Sequence, residues 1–117
     1  MLSVLEKKFK LREALKTELD FYSNMLEENP KIELIGETKK FMSHELKLYE
    51  ELSAWFLKLT MEIQDPKMLK VFHLRYNRGI DLYNIADELM ISKIDVEIIL
   101  MNIESQLMDS ILGKEEQ

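Results

Sequence analysis

Asp81 to Met101 reads DLYNIADELMISKIDVEIILM, two helix-periodic apolar runs separated by about three residues. Asp81 and Ser92 stand where each run needs an N-cap, a side-chain oxygen that accepts from an orphan backbone N–H. A second helix that crosses the first closely needs a small residue mid-way along it, and Ala86 is there. Ile85, Leu89, Ile91 and Val96 stand where apolar side chains must wedge between the two. These constraints together predict a helix-turn-helix. A generic helical hairpin shares the apolar spacing and stays open as the plainer alternative.

Upstream, Asp65-Pro66 marks a helix start, with Asp as N-cap and Pro at the first helical position. That helix carries Met68, Leu69, Phe72, Leu74 and Tyr76 and ends at Gly79. Before it, Thr38 to Ile63 reads as a long helix with an apolar stripe of Phe41, Leu48, Leu52, Trp55, Phe56 and Leu59. Its polar side includes Lys39, Lys40, Glu45, Lys47, Glu50, Glu51 and Lys58. Leu2 to about Glu28 is a further long amphipathic helix through Leu5, Phe9, Leu15, Leu19, Tyr22 and Leu26, with Arg12 among its polar residues. Asn29-Pro30 stops it. Lys31 to Glu37 is a connector that tucks an isoleucine onto the core. Downstream, the helix after Ser92 runs to about Leu112, and Gly113 begins a polar tail.

The 117 residues fit one domain, and 46% apolar with 32% charged residues is globular composition. Three Gly, two Pro and few β-branched runs argue against a sandwich or barrel. Zero Cys excludes disulfides, Cys-ligated zinc, iron–sulfur clusters and thiol catalysis. His44 and His73 alone are too few for a His-rich metal site, and neither has a Glu three residues before it, as a di-metal bundle wants. No phosphate loop, HExxH helix or nucleophile motif is present, so the chain reads as no enzyme, with no cofactor and no metal. No apolar run reaches the roughly 20 residues that span a bilayer. The start MLSVLEKKFK is the reverse of a secretory signal, so a cytoplasmic protein without membrane contact is expected. The net charge of −6 opposes strong nonspecific nucleic-acid binding, which draws its affinity from phosphate neutralisation.

Ile85-Ala86, Leu89, Ile91-Ser92 and Val96 together are similar to the helix-turn-helix of sigma-factor region four. Asp65-Pro66, then Arg75-Tyr76, then the Ile-Ala motif occur in the order found in bacteriophage transcriptional regulators of the ArpU and RinA kind. The resemblance covers about Ile63 to Leu112; the first half shares only a helical, charged character. It implies a small phage or prophage regulator that binds promoter DNA. In that family the start of the last helix enters the major groove, which maps onto Ser92, Lys93, Ile94, Asp95, Glu97 and Ile98. Ser92 and Lys93 suit phosphate or base contacts, whereas Asp95 and Glu97 suit a polyanion poorly. Ile94 and Ile98 stand where polar readers are usual, and Met90 replaces the glycine common in the turn.

Lys67, Lys70, Arg75, Arg78 and Lys93 are candidates for a basic rim, with ordinary solvated charge as the equal alternative. Arg75 has Asp87 or Glu88 as possible ion-pair partners within the domain. From Pro66 to Leu112 there are five bases against seven acids. Ile94, Ile98 and Met101 add a second apolar side to the last helix, either a partner surface or a face covered by the long N-terminal helices; covering is favoured. Trp55 and Phe56 read as core, and the eight Met as core filler.

The expectation is an all-α single domain over residues 1–117. A long helical hairpin over 1–63 serves dimerisation or partner contact, and a three-helix unit over 64–113 ends in the helix-turn-helix. The leading functional expectation is a transcriptional regulator of double-stranded DNA. Ser92, Lys93, Ile94 and Glu97 lie on its reading helix, with Lys67, Lys70, Arg75 and Arg78 around it. A homodimer through the N-terminal helices and contact with RNA polymerase or another host protein complete that reading. The rival is a protein-interaction module, anti-sigma-like or anti-host, on a helix-turn-helix scaffold that no longer binds DNA. A packaging-type DNA-binding subunit would require rings built from the long helices. Ile94 and Ile98 discriminate: exposed beside Asp95 and Glu97 they favour the rival; buried, with the bases converging around Lys93, they favour the regulator.

Overall fold

The structure is a computed structural model, and it describes residues 3–29 and 36–113. The protein is all-α: six α-helices, one π-helical stretch and no strand among the described residues. The chain divides into two compact units, the first ending at Ala54 and the second beginning at Trp55.

The first unit holds α1 (Val4–Glu28) and most of α2 (Gly36–Thr60). Ser3 caps α1 by accepting from the Glu6 N–H at 3.1 Å, and Asn29 closes it through a 3.1 Å bond from its N–H to the Met25 carbonyl. Leu5, Phe9 and Leu15 are buried, as their spacing predicts. Arg12, expected on a polar face, is buried as well: it falls at i+3 from Phe9 and i−3 from Leu15, on the apolar stripe itself. On α2, Glu45 is likewise buried where a polar side was expected, while Phe41, expected in the stripe, is half exposed. Glu45 lies four residues before Tyr49 and seven before the buried Leu52, so the inward face of α2 runs through it. The helix begins at Gly36, two residues earlier than expected. Of the connector, Lys31 to Ile35 lie outside the described residues, as do Leu2 and Pro30.

The second unit starts with the last turn and a half of α2, which ends at Thr60 rather than Ile63. Asp65 caps α3 (Pro66–Phe72) by accepting from the Lys67 and Met68 N–H groups at 2.9 and 3.0 Å. The same helix widens into π-helical turns over His73–Asn77, with Arg78 donating to the His73 carbonyl at 3.0 Å. Phe72 and Tyr76 lie on one side of this helix and Leu74 on the other, and all three are buried, so the helix is packed on more than one side. Tyr76 stacks on Phe56 at 5.3 Å and meets Phe72 edge-on at 4.9 Å, and Trp55 meets Phe56 edge-on at 5.0 Å. Asn77 donates to Thr60 Oγ1 at 2.8 Å and so joins the end of the π turns to the end of α2. Gly79, at φ 70°, closes the helix in the left-handed region a glycine enters freely.

Asp81 then caps α4 (Leu82–Leu89), and Ser92 caps α5 (Lys93–Gln106). α5 packs on both α3 and α4 through Val96, Leu100 and Ile103. The single final helix expected to Leu112 is interrupted at Leu107, after which α6 (Met108–Leu112) follows. Ser110 Oγ donates to Glu62 at 2.6 Å and ties α6 to the segment after α2.

A candidate interaction surface on α5

Ile85 and Val96 are fully buried and Ala86 nearly so, which is the wedge a close crossing of α4 and α5 requires. The turn between them is a Schellman closure: the Ile91 N–H reaches the Ala86 carbonyl at 3.0 Å, with Met90 left-handed at φ 59°. Met90 is the one non-glycine with positive φ among the described residues, and it is 90% exposed. A side chain with a Cβ is disfavoured there, so Met90 holds a conformation that glycine enters freely.

Ser92 and Asp95 form a reciprocal capping box. The Asp95 N–H donates to Ser92 Oγ at 3.0 Å, and the Ser92 N–H donates to Asp95 Oδ2 at 3.4 Å. The Ser92 oxygen is thereby engaged in holding α5. Lys93 is half-buried; its Nζ lies 3.6 Å from Glu97 Oε1 and 4.8 Å from the Tyr83 ring centroid. Lys70 stands 3.9 Å from Glu88, both exposed, so this pair adds little stability. Arg75, half-buried, donates to the Ile80 carbonyl at 3.2 Å and braces the chain where α3 turns towards α4. Lys67 and Arg78 are exposed, at the start and the end of that helix. The structure thus brings Lys93, Glu97 and Tyr83 together and sets Lys70 against Glu88.

The opposite side of α5 has a different character. Ile94, Ile98 and Met101 follow i, i+4, i+7 spacing and are 67%, 48% and 70% exposed. No helix of the second unit covers this stripe. At helical periodicity Glu97 and Glu104 lie along one edge of it and Asp95 and Asn102 along the other. α5 holds one base, Lys93, against three acids. Tyr83 joins the Lys93–Glu97 pair although its sequence neighbourhood held no signal for it; only its spatial relation to Lys93 shows it.

The first unit has a separate feature that sequence reading missed. Glu45 Oε1 is buried without a hydrogen-bond partner. Burial, together with a hydrogen bond and like charge from Glu18, pushes the Glu45 carboxyl up to about 7. Arg12 lies 5.7 Å from the Phe9 ring centroid, and burial lowers its pKa, opposed by Glu13 and Tyr49. The signal was available: both residues sit at apolar-stripe positions. A cleft of about 470 Å³ lined by Leu19, Ser23, Lys39, Met42, Ser43 and Leu46 lies in the same unit.

No group of three or more metal-binding side chains occurs among the described residues, and no helix there is long and apolar enough to cross a membrane. Comparison with protein-family models, with curated proteins and with solved structures returned no match.

Proposed function

We propose that this chain is a protein-interaction module on a helix-turn-helix scaffold, of the anti-sigma-like or anti-host class, acting through the outward side of α5. One observation carries the reading: the side of α5 opposite its buried face is an apolar stripe of Ile94, Ile98 and Met101 between carboxylates. A helix that reads DNA presents hydrogen-bonding and basic side chains to base edges and phosphates. Here the polar groups nearest the helix start are engaged within the protein: Ser92 in the capping box, Lys93 with Glu97 and Tyr83. Exposed apolar patches of this kind are a mark of protein contact. Leu11, Phe21, Phe41 and Leu46 are exposed on the first unit and support a further contact there, including self-association.

The second reading is the phage-type transcriptional regulator. The left-handed turn at Met90, the Ala86 crossing and the order Asp65-Pro66, Arg75-Tyr76, Ile85-Ala86 favour it. On that reading Ser92, Lys93, Ile94 and Glu97 face bases and Lys67, Lys70, Arg75 and Arg78 hold phosphates.

The test is affinity capture from source-cell lysate with the wild-type chain and with Ile98→Glu, after circular dichroism shows that the variant folds. The proposal expects a protein retained by the wild type and lost by the variant. Identical capture profiles would refute it.

A further inference from the structure

The first unit has an outward helix face of its own, on α1, and there the charges select the occupant. We propose that two copies of the chain pair through this face, α1 against α1, antiparallel about a two-fold axis near Thr17 and Glu18. The proposal does not depend on the α5 reading; it commits the contact on the first unit to a second copy.

α1 carries two faces. Leu5, Phe9, Arg12 and Leu15 are buried on the inner one. On another side Leu11, Ala14, Glu18, Phe21 and Met25 follow alternating steps of three and four residues. Lys7 and Glu28 extend this seam by one step at each end. Leu11 is 45% and Phe21 62% exposed, Ala14 is exposed, and Met25 is half-buried. Such spacing is the pattern of one helix packed along another, and here it runs for about 32 Å. Charge is split between the two halves of the same helix. Val4 to Lys16 hold five bases and two acids, whereas Thr17 to Glu28 hold four acids and no base. This distribution opposes the helix macrodipole, which favours acids at the start and bases at the end. Ion pairs within the chain do not relieve it: none engages Lys7, Lys10, Asp20, Glu27 or Glu28 among the described residues.

An antiparallel second copy relieves the split at both ends at once. Lys7 and Lys10 of each chain meet Glu28 of the other. The same pairing sets Leu11 near Met25 and the small Ala14 near the large Phe21, so the apolar side chains interdigitate. Glu18 falls beside the axis, and its carboxyl is engaged by a hydrogen bond with Glu45 of α2. Parallel pairing would align bases with bases and acids with acids, and like charges across an interface suppress the wrong partner. A polyanion would meet the acidic half, and a uniformly basic surface would meet the lysines. A surface with the same split polarity satisfies both halves, and a second copy supplies it in a closed two-fold arrangement.

The experiment is sedimentation equilibrium of the full chain over a concentration series at low salt. A dimer that dissociates on dilution is expected, and Phe21→Glu should leave a monomer with unchanged circular dichroism. Lys7→Glu combined with Lys10→Glu should weaken the dimer at least about tenfold, and so should Glu28→Lys alone. All three substitutions in one chain should restore it. The charge variants place acids near the helix start and a base at its end, where the macrodipole favours them, so a lost dimer is not a lost helix. The chain has no cysteine, which allows a second readout. Lys7→Cys and Glu28→Cys chains, mixed and mildly oxidised, should form a disulfide-linked dimer that neither forms alone. A monomer at every concentration, or a dimer indifferent to Phe21→Glu, would overturn the proposal. Charge variants without effect, or a crosslink formed by Lys7→Cys alone, would overturn the antiparallel pairing. Ile98→Glu should leave this dimer intact, which separates the result from the α5 reading; a dimer dispersed by it would overturn the assignment to α1.

Discussion

The two units of the chain are held by different means. In the second unit the buried side chains are apolar or aromatic: Phe56, Phe72 and Tyr76 interlock, and Ile85, Val96, Leu100 and Ile103 are buried along α4 and α5. Its α3, α4 and α5 each begin on a side-chain cap, at Asp65, Asp81 and Ser92. The first unit buries fewer large apolar groups, and both buried charged residues of the described chain, Arg12 and Glu45, are there. A unit whose local signals and packing agree has one well-determined arrangement. A unit that buries a carboxyl without a full set of partners has stability that depends on conditions.

Breaking the aromatic cluster should have the largest effect. Phe72→Ala removes a fully buried ring that touches both Phe56 and Tyr76, and should cost about 3–5 kcal/mol in urea or guanidinium unfolding. Near-ultraviolet circular dichroism should show the loss of the aromatic environment.

Next comes the buried carboxyl of the first unit. The folded-state pKa of Glu45 is raised to about 7, from an ordinary value of 4.5. The folded protein therefore binds this proton more tightly than the unfolded chain does. The contribution to stability is fully present below about pH 4.5 and is lost as the pH climbs towards 7. Glu45→Gln keeps the shape and removes the titration. It should raise the thermal midpoint at pH 8 and flatten the wild-type decline between pH 5 and 7, as read by circular dichroism melts (pH values chosen roughly to bracket the shifted group). An unchanged pH profile would show that the carboxyl is solvated.

The smallest effect sharpens the account of the turn. Met90→Gly should stabilise the second unit by about 1 kcal/mol, because it relieves a left-handed Cβ without touching a contact. A destabilisation would mean that the exposed Met90 side chain packs in a way its 90% exposure does not show.

These differences also explain what was legible in the sequence. The second unit could be read nearly residue by residue, because Asp65-Pro66, Gly79, Asp81 and Ser92 punctuate it and Ala86 marks the crossing. Its surprises were non-local. Neither the π-helical widening at His73–Asn77 nor the interruption at Leu107 has a glycine or proline to announce it. In the first unit residue type misled: Arg12 and Glu45 were read as solvated for their charge, although their positions lay in the apolar register. On the candidate surface, spacing already showed that α5 has two apolar sides. Which side faces water depends on how α3 and α4 pack, and a single helix's pattern does not contain that.

The central claim is that α5 offers its outward face to protein rather than to DNA. The most direct measurement is retention of random genomic DNA fragments by the purified chain at low and near-physiological salt, with sequencing of whatever is retained. Phosphate attraction is strongest at low salt, so weak binding would show there first. The account predicts no sequence enrichment at either salt concentration and no dependence on Lys93. Enrichment of one sequence, lost on Lys93→Glu, would contradict it and establish the regulator reading in its place.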